Sequence, residues 1–447
     1  IRFTYMNAIR FTYLAIGATL LLASCAKEEA SELGIQTGDN RIYFRTFLPE
    51  ITSRAQTISK ENLNEFHVTV FNPADSDQND SLHAFINDEV VIKDSDSELF
   101  SSENCKWPRK GKDNKELTFF AYYPKLNEEA TLKNATTISG SNVNFDYKIK
   151  DFRVSEDISK QVDFITAYTT GSVKANLLSG INFNFKHQLS RIEINAKGTN
   201  KSCKIEIAGI RIGGIYTQGT YNFKAEEGAG DWTIDEQKKE KVEYVYCQND
   251  KIVTIDNTET CVSIMGGPEG GNYAMLLPAT YTSWDLANNN TDSSKGLYLS
   301  VLLRIIDNSG KQQYPYFDNS QGLNALNIRK VYLAIGGDGK VTANLYKGDG
   351  EKYYTDSLKT IEYNAPQGSE VKEFGWASVP ISAEWQAGFT YTYNLDYTYG
   401  VGLHDPSETG DVSPKAGDPV FSDRVGITVD VKSWQSSTPS SITVPGS

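Results

Sequence analysis

The chain has 447 residues, with 57 acids against 44 lysines and arginines, a net charge of −13, and 25 tyrosines within an aromatic fraction of 11%. An acidic surface repels phosphate backbones, which argues against nucleic acid as a partner, and this much aromatic material excludes a chain disordered throughout. The length allows two or three domains.

The first residue is Ile1, and IRFTY occurs twice, at Ile1–Tyr5 and Ile9–Tyr13, so Met6 is the expected start. From Leu14 to Ala23 runs an apolar stretch shorter than the ~20 residues that a membrane-spanning helix needs. It follows Arg10 and ends in small residues, as the apolar part of a secretory signal does. Leu22-Ala23-Ser24-Cys25 resembles a bacterial lipobox, in which small residues let a signal peptidase approach the backbone. On that reading residues 1–24 are a signal peptide, Cys25 takes a lipid that anchors the chain to a membrane, and residues 25–40 form a polar tether. Lys27-Glu28-Glu29 is similar to the short acidic export signal of Bacteroidetes surface lipoproteins. Besides Cys25 there are Cys105, Cys203, Cys247 and Cys261. In an exported chain these allow disulfides in three pairings, or buried free thiols. None is spaced as CxxC, so zinc has no support.

After the tether, strands follow one another. Arg41–Leu48 places Ile42, Phe44, Thr46 and Leu48 on one face, and Phe66, Val68 and Val70 alternate with His67, Thr69 and Phe71. A short helix is expected near Ile58–Glu65. Leu117–Tyr123 is apolar on both faces, as an interior strand would be, and Pro124 stops it. Val162–Tyr168 is the next candidate, after which the pattern loosens over Thr170–Gly180 and a boundary is placed at 172/173. Ile181–Ala196 changes phase by one residue after Leu189, as a bulge or bend would make it do, and Ile205, Ile207, Ile210 and Ile212 repeat the change. Leu297–Ile305, Phe389–Val401 and Val425–Val431 alternate cleanly. The class is all-β, with strands in sandwiches.

Sites of chemistry are scarce. The four histidines are His67, His83, His187 and His404, and there is no HExxH, GxSxG or P-loop. His187, on an apolar strand face, reads as a hydrogen-bonded core histidine. Asp75-x-Asp77-x-Asn79 opens like a calcium loop but has Asp80 where the turn needs glycine and Ile86 where a bidentate glutamate is expected, so it reads as a solvated acidic loop. The carboxylates offer no specific pair for glycosidic chemistry. An enzyme is not expected, and neither a cofactor nor a metal is called for.

Several segments, in order, resemble the fimbrillin family of Bacteroidales pilus subunits. They are the lipobox at Cys25, Thr52-Ser53-Arg54-Ala55, Lys106-Trp107-Pro108, Leu117 to Pro124, and Phe185-Lys186-His187-Gln188-Leu189-Ser190-Arg191-Ile192. Leu276-Leu277-Pro278, Trp385-Gln386-Ala387-Gly388 and the closing Trp434 complete the set. The resemblance implies two tandem transthyretin-like β-sandwich domains, 41–172 and 173–434, the second with insertions such as Leu345–Gly375. It also implies export as a lipoprotein to the outer membrane and cell surface, assembly with other fimbrial subunits, and a surface receptor on a host or bacterium. Family members that polymerise are cut after an arginine, lose their first strand, and accept a strand from another subunit. Here Arg54 is the expected processing site and Arg45 its competitor, and the tail 435–447 is read as a donor strand. His187, Trp107 and Trp385 are expected to be structural. The other reading is a surface glycan-binding lipoprotein, supported by tyrosines and tryptophans that can stack on sugar rings. Asp80-Ser81-Leu82 and Asp356-Ser357-Leu358 resemble the Bacteroidetes O-glycosylation triplet.

Overall fold

The computed structural model describes residues 40–48, 58–59, 61–73, 81–108, 115–139, 142–226, 230–234, 244–266, 273–285, 296–315, 330–406, 414–421 and 425–433. Cys25, Arg54, the loop 75–79, Trp434 and the tail 435–447 lie outside them. Among the described residues the fold is all-β, with one helical turn at Val173–Asn176 and a 3-10 turn at Ile158–Lys160.

Eight strands form the first sheet, in the order Ile181–Asn184, Phe44–Phe47, Phe100–Ser101, Ala84–Lys93, Glu65–Phe71, Leu117–Tyr123, Ile165–Gly171, Lys186–His187. Its two end strands are nearly continuous in sequence, so one stretch of chain borders both sides of the sheet. Phe66, Val68 and Val70 share one core with Phe44, Phe119, Ala121, Phe183 and Phe185. Phe71, Phe120 and Tyr122 face the opposite way, into a second core with Tyr147, Ile149 and Tyr221. Both faces of the sheet are therefore covered, which is why Leu117–Tyr123 is apolar at nearly every position. The cover on the second face is a four-stranded sheet, Gly230–Thr233, Gln218–Phe223, Tyr147–Arg153, Thr131–Asn134.

Two further sheets face each other. One holds Thr258–Ser263, Ser190–Gly198, Phe389–Asp396 and Gly426–Ser433; the other runs Tyr244–Ile255, Cys203–Gly213, Tyr298–Asp307, Glu370–Pro380, Val331–Ile335, Val341–Lys347, Tyr353–Tyr354. Ile192, Ile194, Tyr393 and Leu395 from the first meet Ile205, Ile207, Ile210, Ile212, Leu299 and Val301 from the second. The phase change in the isoleucines is a β-bulge at Ala208, where the register slips between Ile207 and Gly209. The earlier phase change is a strand leaving one sheet for another: after His187 the chain quits the first sheet, and from Ser190 it pairs parallel with Phe389–Asp396. Pairing among the described strands crosses position 172/173 three times, since Ile181–Asn184 joins Phe44–Phe47, Lys186–His187 joins Ile165–Gly171 and Gln218–Phe223 joins Tyr147–Arg153.

Two local expectations change. Glu61 and Asn62 form a turn rather than a helix: the Asn62 side chain accepts from Ser59 N at 2.6 Å as at a helix start, and Leu63 N donates to Ser59 O, but the chain enters the strand Glu65–Phe71 directly afterwards. The strand expected over Phe389–Val401 ends at Asp396, where the Asp396 carboxylate accepts from Thr398 N and Oγ at 3.0 and 2.5 Å and turns the chain.

The ring of Phe66 is held among Phe44, Phe100, Phe183 and Phe185 at centroid distances of 6.0, 5.0, 5.7 and 5.2 Å. Phe66→Ala should lower unfolding free energy by about 3–5 kcal/mol in a urea titration, the usual range for a large ring removed from a core. Leu358→Ala, at a side chain 83% exposed, should change it by no more than about 0.5 kcal/mol.

Candidate functional site: the seat of the first strand

Phe44–Phe47 lies parallel to Ile181–Asn184 and meets Phe100–Ser101 at one register pair, Phe44 opposite Phe100. Around it Ile42 N donates to Cys105 O, Trp107 N to Asn40 O, Ile181 N to Tyr43 O and Phe185 N to Phe47 O, at 2.8–2.9 Å. Gly180, at φ +75°, permits the close approach to Tyr43 O, which a Cβ there would meet at 3.0 Å. Alternate side chains Ile42, Phe44 and Thr46 are buried, and the Phe44 ring stacks on Phe183 at 5.6 Å. The strand thus fills a slot, bonded along one side and packed beneath by aromatic rings. Trp107 closes the slot near its start, buried and edge-on to Phe119. Burial, with Glu89 adding to it, pushes the Cys105 thiol up to about 12, so it stays protonated and inert.

Arg45 sits inside this paired strand, in register with Asn182. A protease needs an unpaired extended segment, so scission at Arg45 requires the strand to come out first. On the far side of residues 49–57, Ile58 returns to the same core. Its N–H donates to Asp163 Oδ2 at 3.2 Å, and the same oxygen takes His187 Nδ1 at 2.7 Å, with the His187 and Asp163 side chains both wholly buried. Next to His187, Gln188 Nε2 donates to Thr166 Oγ1, which is bonded to Tyr221 OH, both at 2.8 Å. Trp232 Nε1 donates to Gln188 O at 2.7 Å. The FKHQLSRI segment therefore ties three sheets together. Trp385, from the other sandwich, is buried and donates through Nε1 to Tyr393 OH at 3.0 Å.

Two clusters lie outside what the sequence suggested. Asp88 adopts φ +52° at an irregularity in the pairing of Glu65–Phe71 with Ala84–Lys93. Its carboxylate bonds to His67 Nδ1 at 2.9 Å and accepts from Tyr122 OH at 2.6 Å, and its N–H donates to Thr69 Oγ1. In the second sandwich Arg211, Ser300 and Ser378 lie side by side on three neighbouring strands. Arg211 pairs with Asp405, whose other oxygen accepts from Ser300 Oγ and Ser378 Oγ at 2.5 and 2.7 Å. All four residues are buried, which leaves the serines out of reach of a substrate. The cluster pins the crossover around His404 to the sheet. Asp88 needed a positive φ, and Asp405 needed partners far away in sequence, so neither carries a local signal.

Cys105, Cys203 and Cys261 are free thiols, the first two buried and the third exposed. Of the two DSL triplets, Leu358 is exposed on the Asp356 turn, whereas Leu82 is buried. Among the described residues no group of three or more His, Cys, Asp and Glu side chains is arranged to hold a metal, and no helix is long and apolar enough to cross a membrane.

A family model described as fimbrillin-like matches residues 53–318. The chain belongs to that family. No curated protein matches it. Among solved structures, the fimbrillin-like chain is similar to a candidate cell adhesion protein from Bacteroides uniformis at 13% identity and TM-score 0.34, covering 89% of this chain and 100% of that one. Another, from Parabacteroides distasonis, gives 9% identity and TM-score 0.38 over 90% of this chain and 98% of that one. A candidate polysaccharide-binding protein from Bacteroides thetaiotaomicron gives 11% identity and TM-score 0.26 over 64% and 85%.

Burial opposes ionisation of Asp88, but the bonds from His67 and Tyr122 outweigh it and hold the carboxyl below its ordinary value. A carboxyl depressed in the folded state adds stability above its unfolded value, about 4, and loses it as the pH falls through the lower folded value. Acid titration followed by urea unfolding should therefore show a shallower loss below about pH 4 in Asp88→Asn than in the parent.

Proposed function

We propose that this fimbrillin-like chain is a structural or adhesive subunit of a surface fimbria, exported as a lipoprotein through Cys25 and assembled by strand exchange. The observation that carries the reading is the first strand. It follows a polar tether, it is bonded along its length to one neighbour, and it covers a slot lined by Phe66, Phe100 and Phe183. Removing it after a cut at Arg54 exposes an apolar trough flanked by the free N–H and C=O groups of Ile181–Asn184, a seat that another extended strand can take. The partner is another subunit of the same fimbria, like or unlike, and the assembled surface meets a host or bacterial receptor.

At the other end of the chain, Gly426–Ser433 is the border strand of its sheet. It pairs along its length with Phe389–Asp396, while Ile427 and Val429 remain half-exposed. The tail 435–447 continues from it with Ile442 and Val444 at strand spacing, and thirteen extended residues reach at most ~45 Å. Pro439 and Pro445 each remove a donor, so the border strand itself joins the tail in the exchange. On this reading the domains are 41–172 and 173–434, with Ile181–Asn184, Lys186–His187, Gln218–Phe223 and Gly230–Thr233 of the second completing the sheets of the first.

Cys25→Ala should abolish labelling by fatty-acid analogues and release the protein from membranes; undiminished membrane association would overturn the lipid anchor. For assembly, the full chain is compared before and after an arginine-specific protease, with Arg54→Ala and a deletion of 435–447 alongside. Polymers on unheated gels should need both the cut and the tail. Cleaved protein that stays monomeric at high concentration, or a tail deletion that polymerises normally, rules out exchange through these segments.

A further inference from the structure

The Asp163–His187 pair holds a third group that neither core packing nor sheet pairing requires it to hold, the backbone N–H of Ile58. From this geometry we infer that Asp163 is a positioning residue for strand release: it fixes Ile58 as the point upstream of which the chain can leave and downstream of which it cannot. The inference rests on the reading that the chain parts between Leu48 and Ile58, but the anchor itself is a property of the body and needs no polymer.

The two sides of that gap are held in different ways. Upstream, Phe44–Phe47 is retained by backbone pairing along its length to Ile181–Asn184, by one register pair to Phe100, and by the fit of its side chains. Those interactions are the kind another strand can replace one for one. Downstream, Ile58 is bonded to a side-chain oxygen of Asp163 that is entirely shut off from water and shared with a buried histidine. A buried donor left without its acceptor is costly, and no strand entering the slot offers a substitute for it.

The anchor is also local. Gln188 N donates to Phe164 O at 2.8 Å, which sets Asp163 beside His187, and Leu63 N donates to Ser59 O at 3.1 Å, which turns the chain directly from Ile58 into the strand Glu65–Phe71. Leu63 and Ile58 both pack in the core that the first strand covers. Once the chain is cut, Ile58 stays as part of the floor, and the stub left after a cut at Arg54 is too short to fold back into the vacated seat.

The test follows hydrogen exchange at the Ile58 amide, by NMR or by fragmentation after deuterium labelling, in the intact chain and after the arginine-specific protease. In the parent, Ile58 should remain protected after the cut while the amides of residues 44–47 lose protection. Asp163→Ala should speed Ile58 exchange by about 10- to 100-fold, the range for one buried donor left without its acceptor, and leave residues 117–123 protected. Asp163→Asn, which keeps an acceptor oxygen, should restore part of the protection; a role in overall stability alone would speed both regions together. If Asp163→Ala does not fold, the parent and Asp163→Asn still decide. Ile58 unprotected in the cut parent overturns the anchor, as does Ile58 exchanging no faster than the parent in every folded variant. Protection retained in cut protein that never polymerises leaves the anchor standing and removes strand exchange. If the protease leaves 49–57 whole, the same comparison in the intact chain tests the anchor alone.

Discussion

The structure depends on one continuous requirement, that the backbone from Ile181 to Gly198 find strands to pair with inside the molecule. The chain meets it three times over. It lies parallel to the first strand, bends at Phe185 to border the opposite side of the same sheet at Ile165 and Thr166, then enters the second sandwich parallel to Phe389–Asp396. The sheets of the two halves are thereby sewn together by a single stretch that pairs in both. The first strand matters more than its four residues suggest, because it is the partner that Ile181–Asn184 uses in the sheet.

Burying polar groups is expensive unless they are paired, and replacing a buried ion pair with apolar residues often costs little. Their placement here accounts for what they add. Asp163 with His187 lies where Ile58 joins the core, and Arg211 with Asp405 lies where the segment around His404 is pinned to the sheet of Cys203–Gly213. Gln161 accepts from Met275 N at 2.7 Å, and Ser190 Oγ donates to Gln386 O at 2.9 Å, joining segments more than a hundred residues apart. Apolar contact alone would let these segments slide; directional bonds fix them.

Class and strands were legible in the sequence because alternation is a local signal. Leu117–Tyr123 and Glu65–Phe71 stand where the pattern places them, and the one-residue phase changes near Leu189 and Ala208 mark a change of sheet and a bulge. The fimbrillin-like membership was legible in soft motifs taken in order. What periodicity could not tell is which strands pair. That Ile181–Asn184 joins the first strand, or that Gln218–Phe223 joins Tyr147–Arg153, depends on registers set by distant side chains. The early stop at Asp396 was missed because a single side chain's bonds turn the chain there, and the turn at Asn62 because the strand Glu65–Phe71 begins too soon after it for a helix to continue. Asp88 and Asp405 were unreadable for the reasons their geometry gives, a left-handed backbone and partners far apart in the chain.

The free borders of the sheets are treated unequally. The sheet that ends at Tyr353–Tyr354 stops in a two-residue strand. Beyond it the chain closes on itself, with Asp356 accepting from Thr360 N and Ile361 N and Lys352 meeting Glu362 at 3.1 Å. A border that short offers little to a passing strand, and the long polar insertion is what shortens it. The border at Gly426–Ser433 is twice as long as the first strand and regular throughout. It is guarded by charge instead: Asp430 and Lys432 face outward, and Asn394 Nδ2 donates to Asp430 Oδ2 at 2.9 Å. Charges on a border deter indiscriminate pairing without shortening the ladder. The first strand needs neither device, since it is enclosed on both sides. A chain built this way keeps Ile181–Asn184 covered by the first strand and Gly426–Ser433 exposed but guarded, and both connect through Ser190–Gly198 and Phe389–Asp396 to the same continuous stretch.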